Sequence, residues 1–221
     1  MTLVLSQLTL NLSQRDVRRD LGNAYDMHRT LAKAFADGPT SKVRPFLWRL
    51  EPSRSAESPQ LLVQSESDLV WSALPLDYLL HQAQRSWTPE DVLLKGRRLR
   101  FRLRANPTVN RVPPNQEGQV ETEGSARGRR KRLGLWNEVD QLAWLKRQAE
   151  RIGLTSVEAD VTTSERLQCR RQGSLLTVAA AQFEGQAVIE DPMALSAGIR
   201  TGVGHARMMG LGLVSVAPLR N

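Results

Sequence analysis

Apolar and polar residues near the start of the chain alternate with two different periods, which predict a strand followed by a helix. Residues 2–12 carry a polar residue at every second or third position, as a strand does. Asn23 followed three residues later by Asp26 resembles a capping box, and predicts a helix that continues to about residue 36. Apolar residues at helical spacing form its predicted buried stripe: Met27, Leu31, Ala34 and Phe35.

The pattern after this helix predicts the remaining elements of one small domain. Residues 45–51 and 60–65 are predicted strands, a helical segment is expected within 75–85, and 97–104 is the clearest strand of the chain. The order strand, helix, strand, strand, helix, strand is that of a ferredoxin-like fold. We therefore predict a first ferredoxin-like domain, with the helix that begins at Asn23, over residues 1–108.

The second half of the chain predicts the same order of elements, although no sequence repeat is visible. Residues 109–130 are rich in Pro, Gly, Glu, Asn and Ser and are predicted to form a mobile, basic linker. A second ferredoxin-like domain is predicted over 131–221, so the expected fold class is α+β, with two tandem ferredoxin-like (RRM-like) βαββαβ domains. Its predicted elements are a strand at 131–135, a helix at 137–152 with Val139, Leu142, Leu145, Ala149 and Ile152 on one face, strand-like segments at 154–163, 165–171, 174–181 and 186–190, a helix near 192–200 and a strand at 211–217.

The composition favours a polyanionic partner inside the cell. The chain has 221 residues, with 31 Lys and Arg against 23 Asp and Glu, a net charge of +8 and a pI near 10.5. Cys169 is the only cysteine, so we expect no disulfide, no thiolate metal cluster and a reducing cytoplasm. The apolar start has no basic leader, and no apolar run approaches the roughly 18 residues that span a membrane. We therefore expect no membrane partner.

An arginine-rich strand and a basic cluster are the predicted contacts to this polyanion. Arginines alternate with apolar residues along the strand, so that neighbouring guanidinium groups stand ~6.6 Å apart, close to the spacing of phosphates in a nucleic acid. No acidic residue intervenes along the strand, although a solvated sheet face would show the same alternation. The residues are Arg98, Arg100, Arg102 and Arg104 in the strand, and Arg127, Arg129, Arg130, Lys131 and Arg132 in the cluster.

A glycine-rich loop near the end of the chain predicts a second place where a phosphate can bind. Glycine has no Cβ, so backbone N–H groups can approach an anion closely, and Arg200 and Arg207 add charge. The loop lacks the Gly-Lys-Ser/Thr of a nucleotide P-loop and the strand-to-helix setting of a dinucleotide site. Its glycines are Gly198, Gly202, Gly204, Gly210 and Gly212.

Among the three histidines, at positions 28, 81 and 205, His28 is the candidate for proton transfer. No His, Asp or Glu lies at metal-ligand spacing from any of them, so we expect no metal and no cofactor. His28 lies one residue from the apolar stripe of the first helix, and Tyr25 lies three residues earlier on the same side. The positive end of the helix dipole favours a neutral imidazole, as a general base requires. A partly buried structural histidine is the alternative.

Six blocks of sequence together resemble one family, the CasE endoribonucleases, which process precursor CRISPR RNA in type I-E systems. The RLRANPT segment and the glycine-rich tail are the more specific blocks, and the blocks run from end to end in the family's order. They are RRDLGNAYDMHRTLAKAF (18–35), LWRLE (47–51), LLVQS (61–65), LRFRLRANPT (99–108), GRRKRLGL (128–135) and GVGHARMMGLGLVSVAP (202–218).

The resemblance implies an activity, a partner and an active site. It implies two tandem ferredoxin-like domains, metal-independent cleavage within a repeat hairpin by attack of a ribose 2′-OH, and retention of the product within the Cascade complex of a prokaryotic cytoplasm. It places the family's active-site histidine at His28, its tyrosine at Tyr25, its helix lysine at Lys33 and its glycine-rich loop at 202–212. RNA is required because DNA lacks the attacking 2′-OH.

Two departures from the family pattern lie in the loop, and two other classes of function remain open. Arg207 stands where the family usually has lysine, and Ala206 where it usually has glycine; His205 occupies a variable position, and we expect it to titrate near the cut. A non-catalytic RNA-binding subunit of the same fold would bind the hairpin without cutting it. An enzyme using the loop for a mononucleotide would bind ATP, and the missing Walker lysine argues against it.

Overall fold

The strands form two four-stranded antiparallel sheets and one two-stranded hairpin in this computed structural model, which describes residues 2–36, 42–52, 58–66, 70–111, 131–171 and 173–219. The first sheet and its helices comprise β1 (Leu3–Leu10), α1 (Arg15–Leu21), α2 (Ala24–Ala32), β2 (Phe46–Leu50), β3 (Gln60–Ser65), β4 (Leu79–Trp87) and the short α3 (Pro89–Val92). The remaining elements are β5 (Arg98–Ala105), β6 (Thr108–Arg111), β7 (Lys131–Gly134), α4 (Glu138–Arg151), β8 (Leu154–Arg171), β9 (Ser174–Ile189), α5 (Pro192–Thr201) and β10 (Val214–Pro218), of which β6 and β7 form the hairpin.

The first sheet has the strand order β2-β3-β1-β4 of a ferredoxin-like domain, and α2 packs on it as the sequence predicts. The Asn23 side chain accepts the Tyr25 N–H and caps α2, which continues as a 3-10 turn over Lys33–Phe35. The apolar face of α2 packs into the first core, and this burial holds the helix on the sheet. The four residues of the predicted stripe, Met27, Leu31, Ala34 and Phe35, are all buried there.

The arginine-rich strand β5 does not belong to the first sheet, and this part of the prediction is wrong. The second sheet has the order β10-β5-β9-β8, with Leu103 opposite Val214 on one side and Phe183 on the other. β5 is thus the first strand of the second ferredoxin-like domain, and the predicted first domain, 1–108, includes one strand too many. Alternation of arginine with apolar residues identifies a strand but says nothing about its partners.

The fourth strand of the first sheet is β4, in a segment where the sequence predicts a helix. Leu79–Trp87 pairs with β1 along its whole length and forms an edge of the sheet. Most of its residues are exposed, so the strand lacks the alternation of buried and exposed positions that identifies a half-buried strand. Its glutamines and alanine are therefore as compatible with a helix as with an edge strand.

The helix α4 lies where the sequence predicts it, and four of the five residues of its predicted face, Leu142, Leu145, Ala149 and Ile152, lie in or against the second core. The fifth, Val139, is 74% exposed. Gln141 is buried as well, and its amide donates to the Leu135 carbonyl oxygen at 2.9 Å and to the Ser164 hydroxyl at 2.8 Å. A partnered glutamine thus occupies a position that a purely apolar stripe cannot predict.

The strands β8 and β9 are single long strands that extend beyond the sheet as a two-stranded arm. β5 pairs with β9 only as far as Ala181, whereas β8 and β9 stay paired until Arg171 faces Ser174. We call residues 165–171 and 174–180 the arm. Its seven residue pairs span about 23 Å at ~3.3 Å per residue, which is enough to reach from the second sheet to the helices of the first domain.

Arg49 on β2 ties the two sheets together across their interface. Its side chain is 1% exposed, pairs with Glu51 at 2.6 Å and donates to the carbonyl oxygens of Arg102 and Leu213 at 3.1 Å each. Burial lowers the pKa of the Arg49 guanidinium, and Glu51 opposes this effect. A buried cation held by several partners fixes geometry, because removing those partners would leave an unpaired charge.

Candidate functional site

Helix α2 places His28 at the edge of the first core. Its imidazole stacks on the Phe46 ring with centroids 4.8 Å apart and planes inclined by 14°, and Phe46 in turn stacks on Phe35 at 4.1 Å. Nδ1 of His28 is buried without a hydrogen-bond partner among the described residues. Burial lowers the pKa of His28, so the ring is neutral at neutral pH. Nε2 is therefore the nitrogen that can exchange a proton with a substrate.

The end of the arm is fastened to the first turn of α2, beside Tyr25. The Asn23 side chain accepts the Tyr25 N–H at 3.4 Å and the Arg170 N–H at 3.2 Å, and it donates to the Arg170 carbonyl oxygen at 3.1 Å. The Arg171 guanidinium lies over the Tyr25 ring, 5.6 Å from its centroid. One amide therefore caps the helix and holds the second domain against it.

The glycine-rich loop packs against the first domain through backbone that comes close to large side chains. At Gly210, which has a φ of 74°, a Cβ would lie 2.8 Å from the Trp48 ring. At Gly202, which has a φ of 76°, a Cβ would lie 3.0 Å from both Leu47 and the Gly212 carbonyl oxygen. These glycines are required by a turn that any side chain would push away from β2. The loop is therefore built to stay in contact with the first domain.

Three consecutive N–H groups at the outer turn of this loop have no hydrogen-bond acceptor among the described residues. They belong to Gly204, His205 and Ala206, whereas the N–H groups of Val203 and Gly212 donate within the protein. Ala206 has a φ of 61° and Gly204 a φ of 82°, both in the left-handed region. Successive N–H groups in turns of this kind form anion-binding sites in many proteins.

Cations surround this turn. Partial desolvation of the largely exposed His205 ring lowers its pKa, and the nearby charges of Arg132 on β7 and of Arg207 lower it further. Arg207 also donates to the Gly202 carbonyl oxygen at 3.2 Å, which fixes it at the loop. Its 3-10 turn, Arg207–Met209, packs directly on α2. The predicted phosphate loop and the predicted catalytic helix thus meet, with His205 at their cationic rim.

Lys33 lies on the 3-10 turn that extends α2, five residues after His28. Its side chain is exposed and pairs with no side chain among the described residues. The 3-10 turn follows α2 without a break, so Lys33 lies about two helical turns beyond Tyr25. Its side chain faces solvent. An exposed ammonium at this place is available to a phosphate.

The arginines of β5 divide into two pairs. Arg98 and Arg100 are exposed, as the alternation predicts. Arg102 pairs with Glu51 at 2.7 Å and with Glu184 at 2.9 Å, and Arg104 pairs with Glu165. The carboxylates that are absent from β5 itself are therefore supplied by β9 (Glu184), by β8 (Glu165) and by the residue that follows β2 (Glu51). Arg100 and Arg102 also line a cleft of about 910 Å³ between the two sheets.

Parts of the predicted basic cluster lie outside the described residues. Arg127, Arg129 and Arg130 belong to this part of the chain, as does most of the predicted linker. Lys131 is the first residue of β7, and β7 pairs with β6. Across the described residues, no three His, Cys, Asp or Glu side chains are placed to hold a metal ion, and no helix is long and apolar enough to cross a membrane.

Sequence reasoning missed three features of the site. It identified Asn23 as a cap but not as the anchor of the arm, because Arg170 is 147 residues away. It gave no role to Phe46, which looks like one more apolar residue of a strand. It also gave no role to Arg171, whose position over Tyr25 depends on the length of the arm. None of these contacts is local, so no pattern in the sequence marks them.

Known proteins are similar in sequence to this chain over nearly its whole length. The family described as CRISPR associated protein matches residues 3–218. The chain is 38% identical to the CRISPR-associated endoribonuclease Cse3 of Thermus thermophilus, over 97% of this chain and 99% of that protein. The chain belongs to the CasE (Cse3) family. This CasE-family chain is also 33% identical to the CRISPR system Cascade subunit CasE of Escherichia coli, over 91% of this chain and 94% of that protein.

A solved structure of a family member has the same fold. Thermus thermophilus Cse3 bound to an RNA representing a pre-cleavage complex matches with a TM-score of 0.83 and 37% identity, over 99% of this chain and 100% of that chain. The predicted membership of the CasE family and the predicted pair of ferredoxin-like domains are therefore confirmed.

Proposed function

We propose that this protein is an endoribonuclease that binds the hairpin of a CRISPR repeat and cuts precursor CRISPR RNA at the 3′ base of the stem. The observation that carries the proposal is the packing of α2, which holds the ring-stacked His28, against the 3-10 turn of the glycine-rich loop, where Arg132 and Arg207 lie close to His205. The same loop carries N–H groups that have no acceptor among the described residues. The relatives add weight, since one is named an endoribonuclease and another a Cascade subunit. The product stays bound, and the protein acts as a subunit of Cascade in the prokaryotic cytoplasm.

The reaction we assign to this site is metal-independent. A ribose 2′-OH attacks the adjacent phosphorus, the new P–O2′ bond forms, and the P–O5′ bond breaks. The products are a 2′,3′-cyclic phosphate on one fragment and a 5′-OH on the other. His28 and Tyr25 carry the two proton transfers, one removing the 2′-OH proton and the other protonating the leaving O5′.

The negative charge that develops on the phosphoryl oxygens is stabilised by donors that the fold already holds in place. Backbone N–H groups at Gly204, His205 and Ala206 have no acceptor among the described residues, and Arg207 adds a cation held at the loop. Lys33 supplies a mobile ammonium from the end of α2. Gly202, Gly210 and Gly212 contribute by shaping the loop rather than by touching phosphate.

The hairpin stem is held through its phosphates, because side chains cannot easily read the deep major groove of A-form RNA. Exposed Arg98 and Arg100 can contact phosphate directly, whereas Arg102 and Arg104 must first leave their carboxylate partners. We assign the same role to the basic cluster, of which Arg132 lies at the loop. Arg129, Arg130 and Lys131 complete the proposed set.

Cleavage of the host's repeat RNA in EDTA tests this proposal. Purified protein should cut a repeat hairpin once, at the 3′ base of the stem, and leave a 2′,3′-cyclic phosphate and a 5′-OH. An otherwise identical RNA with 2′-deoxyribose at the cut should bind equally well and remain intact. Tight binding of both RNAs without cleavage would contradict the proposal in favour of a non-catalytic RNA-binding subunit. Cleavage of the deoxy RNA would contradict the assigned nucleophile.

A further inference from the structure

Trp136 is the one tryptophan of the five in the chain that is largely exposed. It is 45% exposed, whereas Trp48 and Trp144 are each 4% exposed and Trp71 and Trp87 are half-buried. An indole carries a large apolar surface, and leaving it in water forgoes the stabilisation that burial gives. Trp136 lies at the start of α4 and beside the arm, where part of its ring is left open to a ligand.

The indole is held in place by Arg166 and by the backbone of β7. The Arg166 guanidinium lies 4.8 Å from the centroid of the Trp136 ring. At Gly134, an added Cβ would lie 3.3 Å from the ring, so the backbone there packs directly on the indole. Arg166 is exposed and forms no ion pair with a carboxylate among the described residues. A flat cation stacked on a fixed aromatic ring, with no acidic partner, is a surface on which a nucleic-acid base can stack.

This pair lies at one end of a polar, cationic face that leads to the candidate active site. Arg166, Gln168 and Arg170 alternate along β8 and are all exposed. From Arg166 to Arg170 the strand advances about 13 Å, and the Arg170 backbone is bonded to Asn23 at the start of α2. A strand of RNA that leaves the cut at His28 and Tyr25 can therefore follow the arm to Trp136.

A second route connects the same two places. β7 carries Arg132 beside His205, and Gly134 and Trp136 follow at alternate positions. Arg132 and Trp136 are four positions apart in the chain, so they are separated by about 14 Å at most. The pair is thus near enough to the phosphate-binding turn to meet a nucleotide close to the cut.

We propose that the Trp136–Arg166 pair is a stacking platform for an unpaired base of the RNA that flanks the repeat stem. The platform rests on the proposed function, since it requires RNA at the active site. It differs from the phosphate contacts in that it binds a planar base. It holds the flanking strand in register with the cut and does not enter the reaction.

Binding of an uncleavable RNA tests the platform independently of catalysis. A repeat hairpin with 2′-deoxyribose at the cut is titrated with and without its single-stranded flanks, and 2-aminopurine is placed in turn at each flanking position. In the unsubstituted protein one flanking position should lose fluorescence on binding. Trp136→Ala should restore that fluorescence and weaken affinity for the flanked RNA by about 5- to 150-fold, the range for one stacked base.

Matched variants separate stacking from folding and from charge. Trp136→Phe keeps a ring and should retain most of the affinity, whereas Arg166→Lys keeps the charge but loses the plane and should weaken binding. Val139→Ala, which removes an exposed apolar side chain three residues away, should leave binding unchanged. All of these variants should match the unsubstituted protein in affinity for the hairpin without flanks.

Equal affinity of Trp136→Ala and the unsubstituted protein for the flanked RNA would overturn the platform. So would a Trp136→Ala protein that binds RNA normally but no longer associates with the other Cascade subunits, because the surface would then be a protein contact. Failure of the proposed function has a different result, since the unsubstituted protein would then leave the all-ribose RNA uncut. The base-stacking measurement on the deoxy RNA would be unaffected by that failure.

Discussion

The two sides of the candidate site differ in how their side chains are held, and the difference separates chemistry from binding. On the α2 side, His28 stacks on Phe46, and its Nδ1 is buried. On the loop side, His205 and Arg207 are exposed around N–H groups that find no acceptor among the described residues. A proton-transfer group needs a fixed orientation and a shifted pKa, whereas a phosphate-binding surface needs accessible charge. Replacements on the two sides should therefore have different effects.

The largest effect is expected at His28. His28→Ala should lower the single-turnover rate of cleavage by about 10²–10⁴-fold, because one positioned proton transfer is removed. RNA affinity should change little, since the imidazole is half-buried and neutral. Single-turnover rates with a filter-binding titration on the deoxy RNA check this prediction. An unchanged rate would remove His28 from the mechanism.

The aromatic support of His28 is expected to have the next effect. Phe46→Leu keeps an apolar side chain but removes the stacked ring, so His28 should reorient and become more accessible to water. The cleavage rate should fall by about 10- to 100-fold. The pKa of His28 should rise towards its ordinary value, because burial is what lowers it. A pH profile of the rate checks this, and Phe35→Leu, one ring further from the imidazole, is the matched control.

The two arginine pairs of β5 should differ in how much they contribute to RNA binding. Replacing exposed Arg98 and Arg100 with alanine should weaken RNA binding by about 10-fold and reduce the slope of log affinity against log salt by about one for each phosphate that is no longer neutralised. The same change at Arg102 and Arg104 should reduce that slope less, because these guanidinium groups are already paired with carboxylates. RNA titrations at several salt concentrations measure the slopes of the two double variants. Equal slopes for both double variants would show that the ion pairs open on binding.

The connection between the arm and α2 should have a smaller effect. Asn23→Ala removes the cap of α2 and both bonds to Arg170, and should cost about 1 kcal/mol of stability. Asn23→Ser retains a capping hydroxyl but is too short to hold the arm. If the arm positions Tyr25, the serine variant should keep most of the stability and still cleave several-fold more slowly. Thermal unfolding and cleavage rates measured on the same preparations test this.

The smallest effect concerns the departure from the family pattern in the loop. Ala206 has a φ of 61°, a backbone conformation that is less favourable for an L-residue than for glycine. Ala206→Gly should raise the free energy of unfolding by about 0.5–1 kcal/mol, because the relief of strain exceeds the greater freedom of glycine in the unfolded chain. Chemical denaturation measures the difference. A less stable glycine variant would contradict this account of the turn.

The sequence predicts the local parts of this molecule better than the contacts that assemble them. Asn23 and the apolar stripe of α2 are local signals, and both are confirmed. The assignment of β5 to the first sheet is wrong, because strand pairing depends on residues as distant as Phe183. The same limit explains why the support of His28 by Phe46 is not predictable from the sequence. The resemblance to the CasE family supplies the candidate residues, and the structure supplies their surroundings.

The pH dependence of single-turnover cleavage, in EDTA and with saturating protein, tests the role of His28 most directly. We expect an inflection below about 6.5, the ordinary pKa of histidine, because burial lowers the pKa of His28. If His28 is the base, the rate falls as the pH drops through this value; if it is the acid, the rate falls as the pH rises through it. The inflection should be absent from the residual activity of His28→Ala and should persist in His205→Gln. The same inflection in His28→Ala would contradict the assignment of a proton transfer to His28.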